Sequence, residues 1–122
     1  MSKVKLVDKQ VSMRLAELIK YQILTYCFIE QNQVSDADLS CMTLLGTTGE
    51  SDIAEFCNIA AVNHIFKTAQ TVRNCVIKLE KMKLIIRDSS KKKISLNPLM
   101  KIQTKGSILL QFKFYHIDTE KS

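Results

Sequence analysis

The fold is decided by Thr68-Ala69-Gln70-Thr71-Val72-Arg73-Asn74-Cys75-Val76-Ile77-Lys78-Leu79-Glu80-Lys81-Met82-Lys83-Leu84, followed by Ile85-Ile86-Arg87-Asp88-Ser89-Ser90-Lys91-Lys92-Lys93-Ile94-Ser95-Leu96. Val72, Val76, Leu79 and Met82 recur at helical spacing, so a helix over 68–83 turns one stripe toward a core. Thr68 is its expected N-cap. The other side carries Gln70, Thr71, Arg73, Asn74 and Lys78, all hydrogen-bonding side chains. Two short apolar runs then flank Asp88 to Lys93, which predicts a hairpin over 84–96 with a basic tip.

Working outward, the 122 residues suit one domain (1–122) large enough to bury a core without staples. Three Gly and one Pro are few, which favours helices over a turn-rich sandwich. A scaffold helix is expected over 8–30, starting at Asp8 or Val11 and burying Leu15, Leu18, Ile19, Ile23 (or Gln22), Tyr26 and Ile29. Helices follow over 35–66. Ser35 caps the first, with Asp38 at the capping-box position; Leu39, Met42 and Leu45 are its core residues, and Gly46-Thr47-Thr48-Gly49 ends it. The apolar segment 50–66 reads as a helix over 51–58 and then a short helix or turn. Near the far end, Ile108, Leu110, Phe112 and Phe114 alternate with Leu109, Gln111, Lys113 and Tyr115, predicting a strand over 107–117. It is expected to complete a sheet with the hairpin or to pair across a dimer interface. The fold class is mainly α with a small antiparallel β-sheet, α+β.

Charge is unevenly distributed within a net +6. Residues 67–93 hold nine Lys or Arg against Glu80 and Asp88, whereas 35–58 hold five carboxylates and no Lys or Arg. Such segregation makes a field that would steer a polyanion. Four cysteines, Cys27, Cys41, Cys57 and Cys75, never approach the spacing of a zinc knuckle and sit in apolar helical patterns. They read as buried small hydrophobes; no metal and no cofactor is expected. Gly46 and Gly49 form the one Gly pair and no GK[ST] follows, while Asp36/Asp38 and Asp52/Glu55 suit first turns of helices. No catalytic residue is therefore assigned, and an enzyme is not expected. No apolar run reaches the roughly 18 residues of a membrane span, and Met1 to Asp8 has no apolar signal region. A cytoplasmic location without membrane contact is the expectation.

Thr71-Val72 early in the 68–83 helix, the run Leu79-Glu80-Lys81-Met82-Lys83-Leu84-Ile85, and the Leu96-Asn97-Pro98 ending resemble the winged helix-turn-helix proteins, of the MarR-like regulator or the plasmid and phage replication-initiator type. The resemblance covers 50–97. Where such families place Gly and an apolar residue at the turn between the motif helices, this chain has Phe66 and Lys67, so another backbone path is expected there. The resemblance implies a recognition helix over 68–83 and a wing over 84–96 that bind double-stranded DNA in transcription regulation or replication. Arg73, Asn74 and Gln70 would read bases, Thr71 a phosphate or thymine methyl, and Thr68 would open the helix toward a phosphate. Lys67, Lys78, Lys91, Lys92 and Lys93 would contact phosphates. A homodimer is expected, since two half-sites multiply specificity. The competing expectation is a winged-helix packing module in a larger assembly, such as a phage particle.

Overall fold

Helix ends explain most of the path of this chain. In the computed structural model, which describes residues 2–11 and 13–117, helix α1 spans Leu15–Ile29 and α2 spans Asp36–Thr48. Ser35 and Asp38 form the expected capping box: Ser35 Oγ accepts from Asp38 N at 3.0 Å, and Asp38 Oδ2 accepts from Ser35 N at 3.0 Å. Contrary to the sequence expectation, α2 runs through Gly46 and stops at Gly49, whose φ of 79° suits glycine. Gly46 lies where α2 meets α1; a Cβ built there would stand 2.7 Å from Ile19 Cγ2. The glycine serves helix approach, not helix termination.

Strand β2, Ser51–Asp52, comes next, at a place where the sequence carries no strand pattern. Asp52 then caps α3, Ile53–Val62, its Oδ1 accepting from Ala54 N and Glu55 N at 3.0 and 3.1 Å. This is one helix, longer than the expected 51–58 segment. Helix α4, Ala69–Lys81, follows, capped by Thr68, whose Oγ1 accepts from Thr71 N at 3.2 Å. The chain then forms the expected hairpin of β3, Ile85–Asp88, and β4, Lys93–Leu96. β2 completes a three-stranded antiparallel sheet in the order β2-β4-β3.

Two expectations at the chain ends are corrected. The helix does not begin at residue 8; residues Ser2–Val11 form strand β1. Strand β5, Ile108–Ile117, joins neither the hairpin nor, among the described residues, a third strand: it pairs antiparallel with β1 from Ser2↔Ile117 to Val11↔Ile108. The physical reason is the alternation of Lys3, Val4, Lys5 and Leu6, a strand period that matches β5 over ten residues.

The core lies between the helices and the three-stranded sheet. Ile19 and Ile23 of α1, Met42 and Leu45 of α2, Phe56 of α3, Val72, Val76 and Leu79 of α4, and Ile85 and Ile94 of the hairpin are fully enclosed. All four cysteines are buried and free. Leu15 and Ile29, expected in the core, are exposed, because Cys27 and not Ile29 continues the inward stripe of α1. No described helix is long and apolar enough to cross a membrane.

Candidate nucleic-acid interface

Helix α4 buries Val72, Cys75, Val76 and Leu79. That stripe fixes what faces outward: at 3.6 residues per turn, the opposite side carries Gln70, Asn74, Ile77 and Lys81. All four are exposed. Gln70 Nε2 donates to Asn74 Oδ1 at 3.0 Å, one turn apart. The pair leaves the Asn74 amide hydrogens and the Gln70 carbonyl oxygen turned to solvent, one donor and one acceptor side by side. Ile77 sits below them as an exposed apolar spot. Sequence reading did not select Ile77 or Lys81 for this face, although the helical period that identified the core side also placed them opposite it.

The flanks differ from expectation. Thr68 and Thr71 are exposed, but their hydroxyls lie 2.9 Å apart and serve the cap. Arg73 is half-buried on the flank toward α3, where it and Arg87 oppose the rise that burial imposes on the Cys57 thiol. Lys78, on the other flank, is not a free phosphate contact: its Nζ lies 2.7 Å from Asp38 Oδ2. Asp38 is only 4% exposed and also accepts from Cys75 Sγ at 3.1 Å. Burial alone would raise its pKa, but the Lys78 ammonium, the Ser35 N–H and the Cys75 thiol together hold it below the ordinary carboxylate value. Lys78 is raised in return by its bond to Asp38. One carboxylate thus ties the start of α2 to the middle of α4.

The turn before α4 solves the missing-glycine problem. His64 takes the left-handed conformation, φ 61°, at the position after the α3 C-cap. His64 N donates to Ala61 O at 3.1 Å and Ile65 N to Ala60 O at 3.2 Å, the paired bonds of a Schellman ending. Lys67 follows, exposed, beside a shallow cleft of about 490 Å³ lined by Ala61, His64, Ile65, Phe66, Lys67 and Thr71.

The hairpin tip is built by Asp88. Its Oδ1 accepts from Ser90 Oγ at 2.7 Å and Ser90 N at 3.1 Å, and the Ser90 bonds hold its pKa down. Lys91, Lys92 and Lys93 are exposed around this turn, with Lys92 left-handed at φ 55°. Arg87 of β3 is clamped to Glu80 of α4 through a two-nitrogen contact, so the hairpin stands beside α4. The expected separation of acidic and basic surfaces is reduced at one point, since Asp38 neutralises Lys78. Among the described residues no group of His, Cys, Asp and Glu is placed to hold a metal ion. Comparison with known proteins gave no match: no family model, no curated protein and no solved structure is similar to the chain.

Proposed function

We propose that the chain is a sequence-specific double-stranded DNA-binding protein of the winged helix-turn-helix type, acting in transcription regulation or replication initiation. The recognition helix is α4 and the wing is the β3–β4 hairpin. The observation that carries this reading is the exposed Gln70–Asn74 amide pair on α4, the helix whose Glu80 holds Arg87 of the hairpin that bears the exposed Lys91, Lys92 and Lys93. A donor next to an acceptor is the pattern that adenine presents in complement in the major groove, whose width admits one helix. Ile77 offers the apolar contact that a thymine methyl takes. The wing lysines supply affinity through phosphates and carry no sequence information. Of the remaining site residues, Lys67 is free to join them and Arg73 reads a base only from its half-buried flank, whereas Lys78 contributes after exchanging Asp38 for a phosphate.

The test is an electrophoretic titration of duplexes selected from a random pool, at two salt concentrations. Replacing Lys91, Lys92 and Lys93 with Ala weakens every duplex alike and flattens the salt dependence by about 0.9 in log–log slope for each phosphate that is no longer neutralised. Asn74→Ala costs about 1–3 kcal/mol on the selected site and little elsewhere. Absence of retardation, or equal and salt-insensitive losses from both variants, contradicts the proposal. The second reading, a packing module in a larger assembly, is favoured by the exposed Phe28, Ile29 and Val62 and is the one left standing if no duplex binds.

A further inference from the structure

The amides of Gln70 and Asn74 sit on a firm base. Thr68 caps α4 two residues before Gln70, and Val72, Cys75 and Val76 of the inward stripe are buried. Cys75 also donates to the enclosed Asp38 carboxylate at 3.1 Å, which ties this part of the helix to α2. Gln70 Nε2 gives one hydrogen to Asn74 Oδ1 at 3.0 Å. Among the described residues no other group bonds to the Gln70 oxygen or the Asn74 nitrogen. Each amide has one oxygen acceptor and one NH2 donor. If both turn over together, Asn74 donates to Gln70, and the free groups are the Asn74 oxygen and the Gln70 nitrogen. In either arrangement the joined pair offers one acceptor and one NH2 to whatever approaches.

That combination discriminates among base edges. Adenine shows the N7 acceptor and an N6 hydrogen, and so satisfies both free groups. Guanine shows two acceptors, N7 and O6, and leaves the amide oxygen facing another oxygen. Adenine N6 carries two hydrogens; pairing with thymine uses one, and the other points into the major groove. The amide oxygen takes this second hydrogen. Ile77, three residues beyond Asn74 and 40% exposed, stands about 4.5 Å further along the helix axis, on the scale of one base step. It welcomes the methyl of a thymine and can accept no hydrogen. This face therefore has one place for a methyl group and, one turn away, an acceptor that a methyl group would leave unmet.

We infer that the chain distinguishes N6-methyladenine from adenine in its DNA site and binds the unmethylated form. The inference rests on the reading of α4 as a recognition helix. In a paired adenine the N6 methyl takes the groove side, because the remaining hydrogen is committed to thymine. It removes the donor that the amide oxygen needs and sets a methyl group against that oxygen, leaving an unsatisfied acceptor inside a closed contact. The modification adds no charge, so the phosphate contacts of Lys91, Lys92 and Lys93 are untouched by it. Methylation thus acts on sequence reading alone.

The duplex recovered from an unmethylated random pool is resynthesised with N6-methyladenine at each adenine in turn and titrated against the full chain at two salt concentrations. At the adenine that meets the amide pair, methylation weakens binding by about tenfold or more and leaves the salt slope unchanged. At the other adenines it has little effect. A variant carrying both Gln70→Ala and Asn74→Ala binds the methylated and unmethylated duplexes alike, since no amide oxygen remains to meet the methyl group. Both positions are exposed and alanine favours a helix, and circular dichroism establishes that the variant is folded. A selected duplex bound equally well with N6-methyladenine at every adenine overturns the inference and leaves DNA binding standing. So does a loss that persists in the double variant, which would trace it to the duplex and not to the amides. Absence of retardation of any duplex removes the reading of α4 as a recognition helix, and the inference with it.

Discussion

Among the described residues, three that follow α-helices occupy a backbone conformation that glycine normally takes at a helix end. Gln31, His64 and Lys83 have φ values of 60°, 61° and 62°, each just past the C-cap of α1, α3 and α4. At Lys83 the motif is completed by Leu84 N donating to Leu79 O at 3.0 Å, with both leucines buried. An L-residue there costs roughly 1–2 kcal/mol against sterics, part of which glycine returns as chain entropy given up on folding. Lys83→Gly is therefore expected to stabilise the protein by about 0.5–1 kcal/mol, read as a higher midpoint in urea. Asp38 is the other residue with leverage. Its folded pKa lies below the unfolded value, so its stabilisation is fully present above about pH 4 and disappears as pH falls through the folded value. Asp38→Asn should lower stability at neutral pH by about 1–3 kcal/mol and flatten the acid limb of the stability curve. An unchanged acid limb in this variant would show that Asp38 does not govern it. Neither effect was legible in the sequence. No glycine marks the three helix ends, and the partners Asp38 and Lys78 lie forty positions apart.

At the scale of elements, what the sequence revealed was whatever repeats locally. Helix α4, the Ser35–Asp38 capping box and the hairpin with its lysine tip follow from patterns contained within a few turns of chain. Gly46 misled for the same reason: read locally it ends a helix, but its role is to let α2 approach Ile19 of α1. Gly46→Ala gains up to about 1 kcal/mol of helix propensity. It also presses a methyl group against a fully buried isoleucine that has nowhere to move, which costs about 1–3 kcal/mol. A net loss is expected, measured as a lower thermal midpoint; a gain would mean that α1 can slide away. The short β2 was invisible because two residues carry no period, and only their partners Ile94 and Lys93 define them.

At the scale of the molecule, the candidate interface was partly legible. The outward face of α4 and the exposed hairpin lysines followed from periodicity and charge, whereas the capture of Lys78 and the half-burial of Arg73 depend on α2 and α3 packing against α4. The ribbon was the least legible feature. Each of its strands can be read alone as an alternating segment, but β1 borders a helical run whose period overrode its own. Its pairing has one more consequence. Ser2 meets Ile117 and Val11 meets Ile108, so closing the ribbon fixes a loop of nearly the whole chain. Contacts of such long sequence separation are entropically slow to form. The helices and the three-stranded sheet, joined by shorter connections, have time to assemble first. On a ribosome β1 then waits, lysine-rich and unpaired, until β5 has left the exit tunnel, and the ribbon zips last.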